Sequence, residues 1–426
     1  MRLLPLYRAA AAVADPLAGL FLRWRLARGK EDAARLREKT GLPGRARPEG
    51  PVAWLHGASV GEGLALLPLV ERLAGRGFAV LVTTGTLSSA RVLAQRLGPG
   101  AIHQFAPLDV PRFVRRFLDH WRPDLVLFAE SEIWPNMLDQ AARRRLPLML
   151  VNARLSQRSF ARWQILPATI GGLLGGIDLC LAQTAPDAER LRQLGAPRVE
   201  VAGNLKYDVA APPVDNARLA LLQAQIGARP VWLAASTHPG EEAIAGAVHR
   251  RLAARFPDLL TIIAPRHPER GAAILAALPE ARLRSRSGGI DASTGIYIAD
   301  TMGEMGLLFR LAPVVFVGKS MASAARQSMG GQNPIEPAKL GSAILHGPHV
   351  GNFQEVYAAL GQAEGALGVG DADALARVLE LLLGDAALLR KMARNALDSV
   401  GAFGGAADRI MQALDPYILQ LQIERR

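Results

Sequence analysis

A chain of 426 residues is longer than one ordinary core supports, and its 50% hydrophobic content excludes a mainly disordered protein. A net charge of +12 favours anionic partners, but the cations are mostly arginine and form no long basic block, which argues against nucleic acid. Cys180 is the only cysteine, which excludes a disulfide framework and any cysteine-based zinc or iron–sulfur site; within "DLCLAQT" it reads as a small core residue of a strand.

Ala9 to Leu22 is an apolar run interrupted by Asp15-Pro16 and flanked by Arg2, Arg8, Arg23, Arg25, Arg28 and Lys30. It falls short of the roughly 20 residues that a spanning helix needs. "AVAD" imitates a signal-peptide cleavage site, yet Arg8 breaks the apolar stretch such a peptide requires. Residues 1–30 are therefore expected to form a membrane-associated helix lying in the bilayer surface, its arginines on anionic headgroups. A helix packed on its own protein is the alternative.

From Pro51 onward short apolar runs alternate with amphipathic segments. "VAWLH", "AVLVTT", "AIHQFA", "DLVLFAE", "PLMLVNA", "DLCLAQT" and "VEVAGN" read as strands, each followed by a helix-like stretch. Near-continuous apolar strands separated by helices predict a parallel sheet covered on both faces. The rhythm pauses at Pro212-Pro213, a linker, and restarts with "VWLAAST", "LLTIIAPR", "GIYIADT", "PVVFVGKS" and "SAILHG". The expected architecture is α/β, with two doubly wound domains at 31–210 and 211–371. Helices over 372–426 are expected to pack back across the interface.

In open α/β sheets ligands collect at the carboxyl ends of the strands, so chemistry belongs in the strand-to-helix turns. The first is "HGASVGEG" (56–63), where glycines admit a ligand close to the backbone and Glu62 sits at a helix start, whose dipole is expected to lower its pKa. A plain first-turn acid is the competing reading. "AESEIWPN" (129–136) sets Glu130 and Glu132 on alternate sides of an extended segment, one expected to face a ligand and one to be held locally. Lys206, in "GNLKYD", is placed to reach a phosphate or sugar oxygen unless it is a surface lysine. In the second half "STHPGEE" and "APRHPER" put Ser236, Thr237, His238, Arg266, His267 and Arg270 at strand ends, a combination suited to phosphate. "DTMGEMG", "GKSM", "GGQNPIEPA" and "GPHVGNF" complete that rim, with the Glu336 carboxylate suited to a pair of ribose hydroxyls.

Taken in order, "HGASVGE", "ESEIWPN", "NARLS", "GNLKYD", "APRHPER", "DTMGEMG", "VGKSM", "GGQNPIEPA" and "GPHVGNF" resemble the 3-deoxy-D-manno-octulosonate (Kdo) transferases of lipopolysaccharide synthesis, from about Trp54 to Phe353. The stretch between Met321 and Gly330 is worded in its own way. The resemblance implies a GT-B glycosyltransferase with two Rossmann-like domains facing across a cleft, CMP-Kdo as donor and a lipid A precursor (lipid IVA) as acceptor. It also implies the cytoplasmic face of the bacterial inner membrane, with that anionic surface as a partner and no nucleic acid. By the same resemblance Glu62 is the proton acceptor, and Glu132 and Lys206 are transition-state stabilisers. Arg266 and His267, Met302, Gly303, Glu304 and Met305, and Asn333, Pro334, Ile335 and Glu336 form the CMP-binding turns. No cofactor and no metal are expected, CMP-Kdo being a substrate. The alternatives are another GT-B transferase or epimerase with a UDP-sugar, and a membrane-surface protein that binds a nucleotide-sugar without turnover.

Overall fold

The computed structural model describes residues 3–287, 289–321 and 330–424. Arg2 and residues 322–329, the core of the divergent stretch, lie outside the described residues. Tertiary contacts divide the chain into two units, 1–209 together with 403–426, and 210–402.

The first unit is built on seven parallel strands: β1 (Val52–His56), β2 (Ala79–Thr84), β3 (Ala101–Phe105), β4 (Leu125–Ala129), β5 (Leu148–Ala153), β6 (Leu179–Ala182) and β7 (Val199–Val201). Their order is β3-β2-β1-β4-β5-β6-β7, so the chain reverses its winding direction between β1 and β4. Successive residues of β1 are buried on opposite faces. Val52 and Trp54 join Phe117, Phe128 and Leu150 on one side, while Ala53 and Leu55 join Leu69, Val80 and Ile410 on the other. Trp54 meets Phe117 and Phe128 with ring centroids 4.7 and 5.1 Å apart. Each such fully buried large side chain contributes about 1.5–3 kcal/mol by leaving water. Cys180 is fully buried in β6, as its neighbours suggested.

The second unit repeats the plan with β8 (Val231–Thr237), β9 (Leu260–Pro265), β10 (Arg282–Leu283), β11 (Ile296–Ile298), β12 (Val314–Val317), β13 (Ala343–His346) and β14 (Ala366–Gly368). The order β10-β11-β9-β8-β12-β13-β14 places its winding reversal between β8 and β12. Twelve of these strands across the two units coincide with the apolar runs of the sequence; β10 and β14 are edge strands of two and three residues, too short to carry a periodic signal.

Two expectations about the ends of the chain are corrected. The described residues 3–30 hold two helices, Leu4–Val13 and Asp15–Ala27, because Asp15-Pro16 opens a new helix start at that point. Both lie on the first unit, tied down by Tyr7 Oη to Asp109 (3.0 Å), Arg8 to Asp139 (3.0 Å) and Arg112 to Asp15 (3.5 Å). They leave Leu6, Val13, Leu17, Leu20, Phe21 and Trp24 exposed. No described helix is long and apolar enough to cross a membrane.

The 372–426 block also divides. Helices Ala372–Gly384 and Ala386–Ala402 stay with the second unit, whereas Ala406–Glu424 belongs to the first. Asp208 determines the latter placement by accepting bonds from the backbone N–H of Gly405 and Ala407 at 2.6 Å each, capping the helix start. Ala406, Ile410, Met411, Leu414 and Ile418 then enter the core beside Leu66, Leu69 and Leu73.

Candidate active site

Both winding reversals put their chemistry in the same kind of place, the turns that leave the two central strands. In the first unit these follow β1 and β4. Ser59 caps the helix Val60–Ala65, and Glu62, its third residue, completes a capping box. Glu62 Oε2 accepts from the N–H of Ala58 (2.6 Å) and Ser59 (3.3 Å), and Oε1 accepts from Ser59 Oγ (2.9 Å). A Cβ on Gly57 would come 2.9 Å from Glu62 Cβ, so glycine is what lets this carboxylate fold back over the turn. Gly61 faces open space and is not needed for that packing.

The first-turn reading of Glu62 is thus realised, but the expected fall in pKa is not. Burial, followed by the charge of Glu132, raises it, against the bonds from Ser59; Glu130 adds to the rise. Desolvation and two neighbouring acids outweigh the helix start. Capping leaves room for chemistry, because Oε1 has a single protein partner and two lone pairs.

Glu132 behaves oppositely. Burial would raise its pKa, yet His56 and Trp134 overcome that and hold it lowered. Trp134 Nε1 donates to Glu132 Oε2 at 2.5 Å, and His56 Nε2 stands 3.3 Å from the same oxygen. The outcome is two half-buried carboxylates, one inclined to take a proton and one to stay ionised. Environments that separate two acids in this way divide acid–base roles between them.

Lys206 is not a stray surface lysine. Its Nζ lies 2.8 Å from Glu130 Oε1, so both acids of the pair are held, Glu130 by this distant lysine and Glu132 by its neighbour Trp134. Two residues of the quoted turns that the sequence did not single out position the lysine: Asn204 Oδ1 accepts from its N–H (3.0 Å), and the buried Asn152 accepts from Leu205 N–H (2.9 Å). Glu130 and Asn152 both adopt left-handed backbone (φ 51° and 52°), as do Ser236 (54°) and Lys319 (60°) in the second unit. Such strain in non-glycine residues, gathered at strand ends, marks places where function overrides local preference.

In the second unit the turns after β8 and β12 are joined by one buried residue that the sequence did not single out. Glu241 accepts from the N–H of His238 (2.8 Å), Lys319 (2.8 Å), Ser320 (3.0 Å) and Met321 (3.1 Å). Gly318 is required there, since a Cβ would meet Ser236 O at 2.7 Å and Glu241 Oε2 at 2.8 Å. Around this clamp stand Arg266, His267, His238 and Lys319. Burial lowers the pKa of His238, and Lys319, His267 and Arg266 lower it further, which records a positive field at the ends of β8, β9 and β12. Arg266 and Lys319 have no side-chain partner among the described residues. Arg270, expected to hold phosphate, is instead bonded by Glu242 (2.6 and 3.2 Å).

The remaining predicted turns divide by side chain. Met302 and Gly303 are exposed and Met305 half-buried, while Glu304 is committed to the framework through Arg284 (2.7 Å), Arg218 (2.9 Å) and Thr301. Burial would raise its pKa, but Arg284 and Thr301 bring it down to about 2. A depressed acid contributes stability that is complete above its unfolded value of 4.5 and is lost as pH falls toward 2. Glu304→Gln should therefore flatten the acid side of the second unit's stability curve over that window, read by urea unfolding at a series of pH values. In "NPIE", Asn333 Oδ1 accepts from Ile335 N–H (3.0 Å), and Pro334 and Ile335 are buried, leaving Asn333 and Glu336 as the half-exposed members.

Residues 34–209 match the family described as 3-deoxy-D-manno-octulosonic-acid transferase (kdotransferase). The chain is 31% identical to the 3-deoxy-D-manno-octulosonic acid transferase of Haemophilus influenzae over 97% of this chain and 98% of that one. It is 36% identical to the protein of that name from Bordetella pertussis, over 88% and 90% of the two chains. A probable mitochondrial 3-deoxy-D-manno-octulosonic acid transferase from Arabidopsis thaliana is also 36% identical, over 84% and 82%. Among solved structures, a putative UDP-N-acetylglucosamine 2-epimerase from Listeria monocytogenes superposes with a TM-score of 0.58 at 17% identity, covering 87% of this chain and 97% of that one, a likeness of fold. Two seven-stranded parallel α/β units of the GT-B type, the carboxylates at their strand ends and these relatives agree: the chain belongs to the Kdo transferase family of glycosyltransferases.

Proposed function

We propose that this chain transfers Kdo from CMP-Kdo to a hydroxyl of a lipid A precursor, lipid IVA, with inversion at the anomeric carbon. The observation that carries the reading is the pair Glu62 and Glu132 at the turns after β1 and β4: Glu62 Oε1 has Ser59 Oγ as its protein partner and a lone pair to spare, whereas Glu132 Oε2 is held by Trp134, and burial with the charge of Glu132 raises the Glu62 pKa. Glu62 takes the proton of the acceptor hydroxyl as its oxygen bonds to the anomeric carbon, and the bond from that carbon to the CMP phosphate breaks with its electrons leaving on the phosphate. Glu132, kept ionised, and Lys206 balance charge at the reacting centre. One displacement with one base gives inversion, by the logic of inverting glycosidases. Arg266, Lys319 and His267 receive the phosphate, and the backbone of 302–305 with Asn333 and Glu336 receives the nucleoside. The scheme invokes no metal.

The exposed apolar side chains of the first two helices, beside Arg23, Arg25 and Arg28, suit an anionic bilayer surface, and we assign the protein to the cytoplasmic face of the inner membrane. Thermal shift tests the donor: CMP should raise Tm and UDP should not. A UDP response alone would reject CMP-Kdo. Arg266→Ala should weaken CMP binding roughly 10-fold or more, as expected for a lost charge-assisted bond to phosphate. Unchanged affinity by titration calorimetry would remove Arg266 from the site.

A further inference from the structure

We infer that His56 is a positioning residue for the transfer: held by Thr83, it directs its second ring nitrogen at Glu132 and keeps that carboxylate ionised and aimed. This rests on the transferase reading above. His56 ends β1 and is 2% exposed, with its ring edge-on to Phe128 at 5.3 Å. Thr83 Oγ1 accepts from Trp54 Nε1 (2.8 Å), a group that can only donate. His56 Nδ1 lies 2.9 Å from that hydroxyl, whereas the competing acceptor, Leu55 O, is 3.4 Å away. With the hydroxyl hydrogen directed along the shorter of these two contacts, to Nδ1, a ring hydrogen sits on Nε2, 3.3 Å from Glu132 Oε2. That contact is not aligned as a hydrogen bond in the resting structure and leaves Nε2 otherwise unpartnered and buried. Catalytic bonds are commonly long before substrate tightens them.

The other charged groups around this chain are Glu62, which feels the charge of Glu132, and Glu130, which is paired with Lys206. Glu62 and Glu132 thus titrate as a pair, and removing a donor from the doubly ionised pair makes it take its first proton at higher pH. A histidine that only fills the core would change stability and leave that titration alone.

The test is the pH profile of kcat/KM for Kdo transfer in wild type, His56→Leu and His56→Gln, with Tm measured for each. His56→Leu should move the acid limb upward by roughly a few tenths of a pH unit, less than the shift of about one unit expected at Glu132 itself, because Glu62 takes the larger share of the pair's first proton. His56→Gln, whose amide N–H reaches about where Nε2 lies, should restore most of it. A lower Tm with an unmoved limb in His56→Leu would overturn the proposal. If wild type transfers no Kdo, the transferase reading fails and the matter is decided by NMR titration of labelled glutamate carboxyls, assigned with Glu132→Gln. A raised Glu132 midpoint in His56→Leu supports the coupling; an unchanged midpoint rejects it.

Discussion

Glu62→Gln should lower the rate of Kdo transfer by ~10²-fold or more while CMP binding and Tm stay near wild type. The substitution suits this site because glutamine also completes a capping box, so the helix Val60–Ala65 keeps its start. Only the capacity of this side chain to take a proton is lost. Burial and Glu132 hold the Glu62 pKa up, so the wild-type acid limb should lie above the ordinary 4.5 of a glutamate. A stronger base at working pH is what an incoming alcohol requires. Near-normal turnover in the variant would reduce Glu62 to its capping role.

The second large effect is expected at Glu241. Leucine there would leave the N–H groups of His238, Lys319, Ser320 and Met321 without their acceptor inside a site that is 3% exposed. At about 1–3 kcal/mol for each stranded donor, partly relieved by local adjustment, Glu241→Leu should cost the second unit roughly 3 kcal/mol or more. CMP binding should fail with it, because the same bonds hold the turns carrying His238 and Lys319. Urea unfolding together with CMP titration reads both. Loss of binding at full stability would place Glu241 in ligand contact, and no loss of either would remove the clamp.

The sheets were legible because their strands are buried on both faces, which writes unbroken apolar runs such as "AVLVTT" and "VWLAAST" into the chain. The short edge strands β10 and β14 write none. The turns were visible as clusters of glycine, acids and histidine, but not the direction in which their charges would be tuned. Glu62 shows why: a helix start is a local feature that sequence displays, whereas Glu132 and Glu130 come near it only through the pairing of β1 with β4. Asn152 and Glu241 lay in turns that were visible, and Thr83 in a visible strand, but their roles were not, since the partners that define them lie 53, 78 to 80 and 27 residues away. At the C-terminus, amphipathic patterning marked the helices without indicating which sheet they cover. Asp208, capping Ala406–Glu424, makes that choice by a contact across 197 residues.

In the proposed reaction one carboxylate beside β1 takes the proton of the acceptor while the second unit holds CMP-Kdo. That assignment is tested most directly by mass spectrometry of lipid IVA after incubation with CMP-Kdo and either wild type or Glu62→Gln. Lipid carrying added Kdo is expected with wild type and unmodified lipid with the variant, at CMP occupancy equal in both. Equal Kdo addition by the two proteins, or none by wild type with CMP bound, would contradict it.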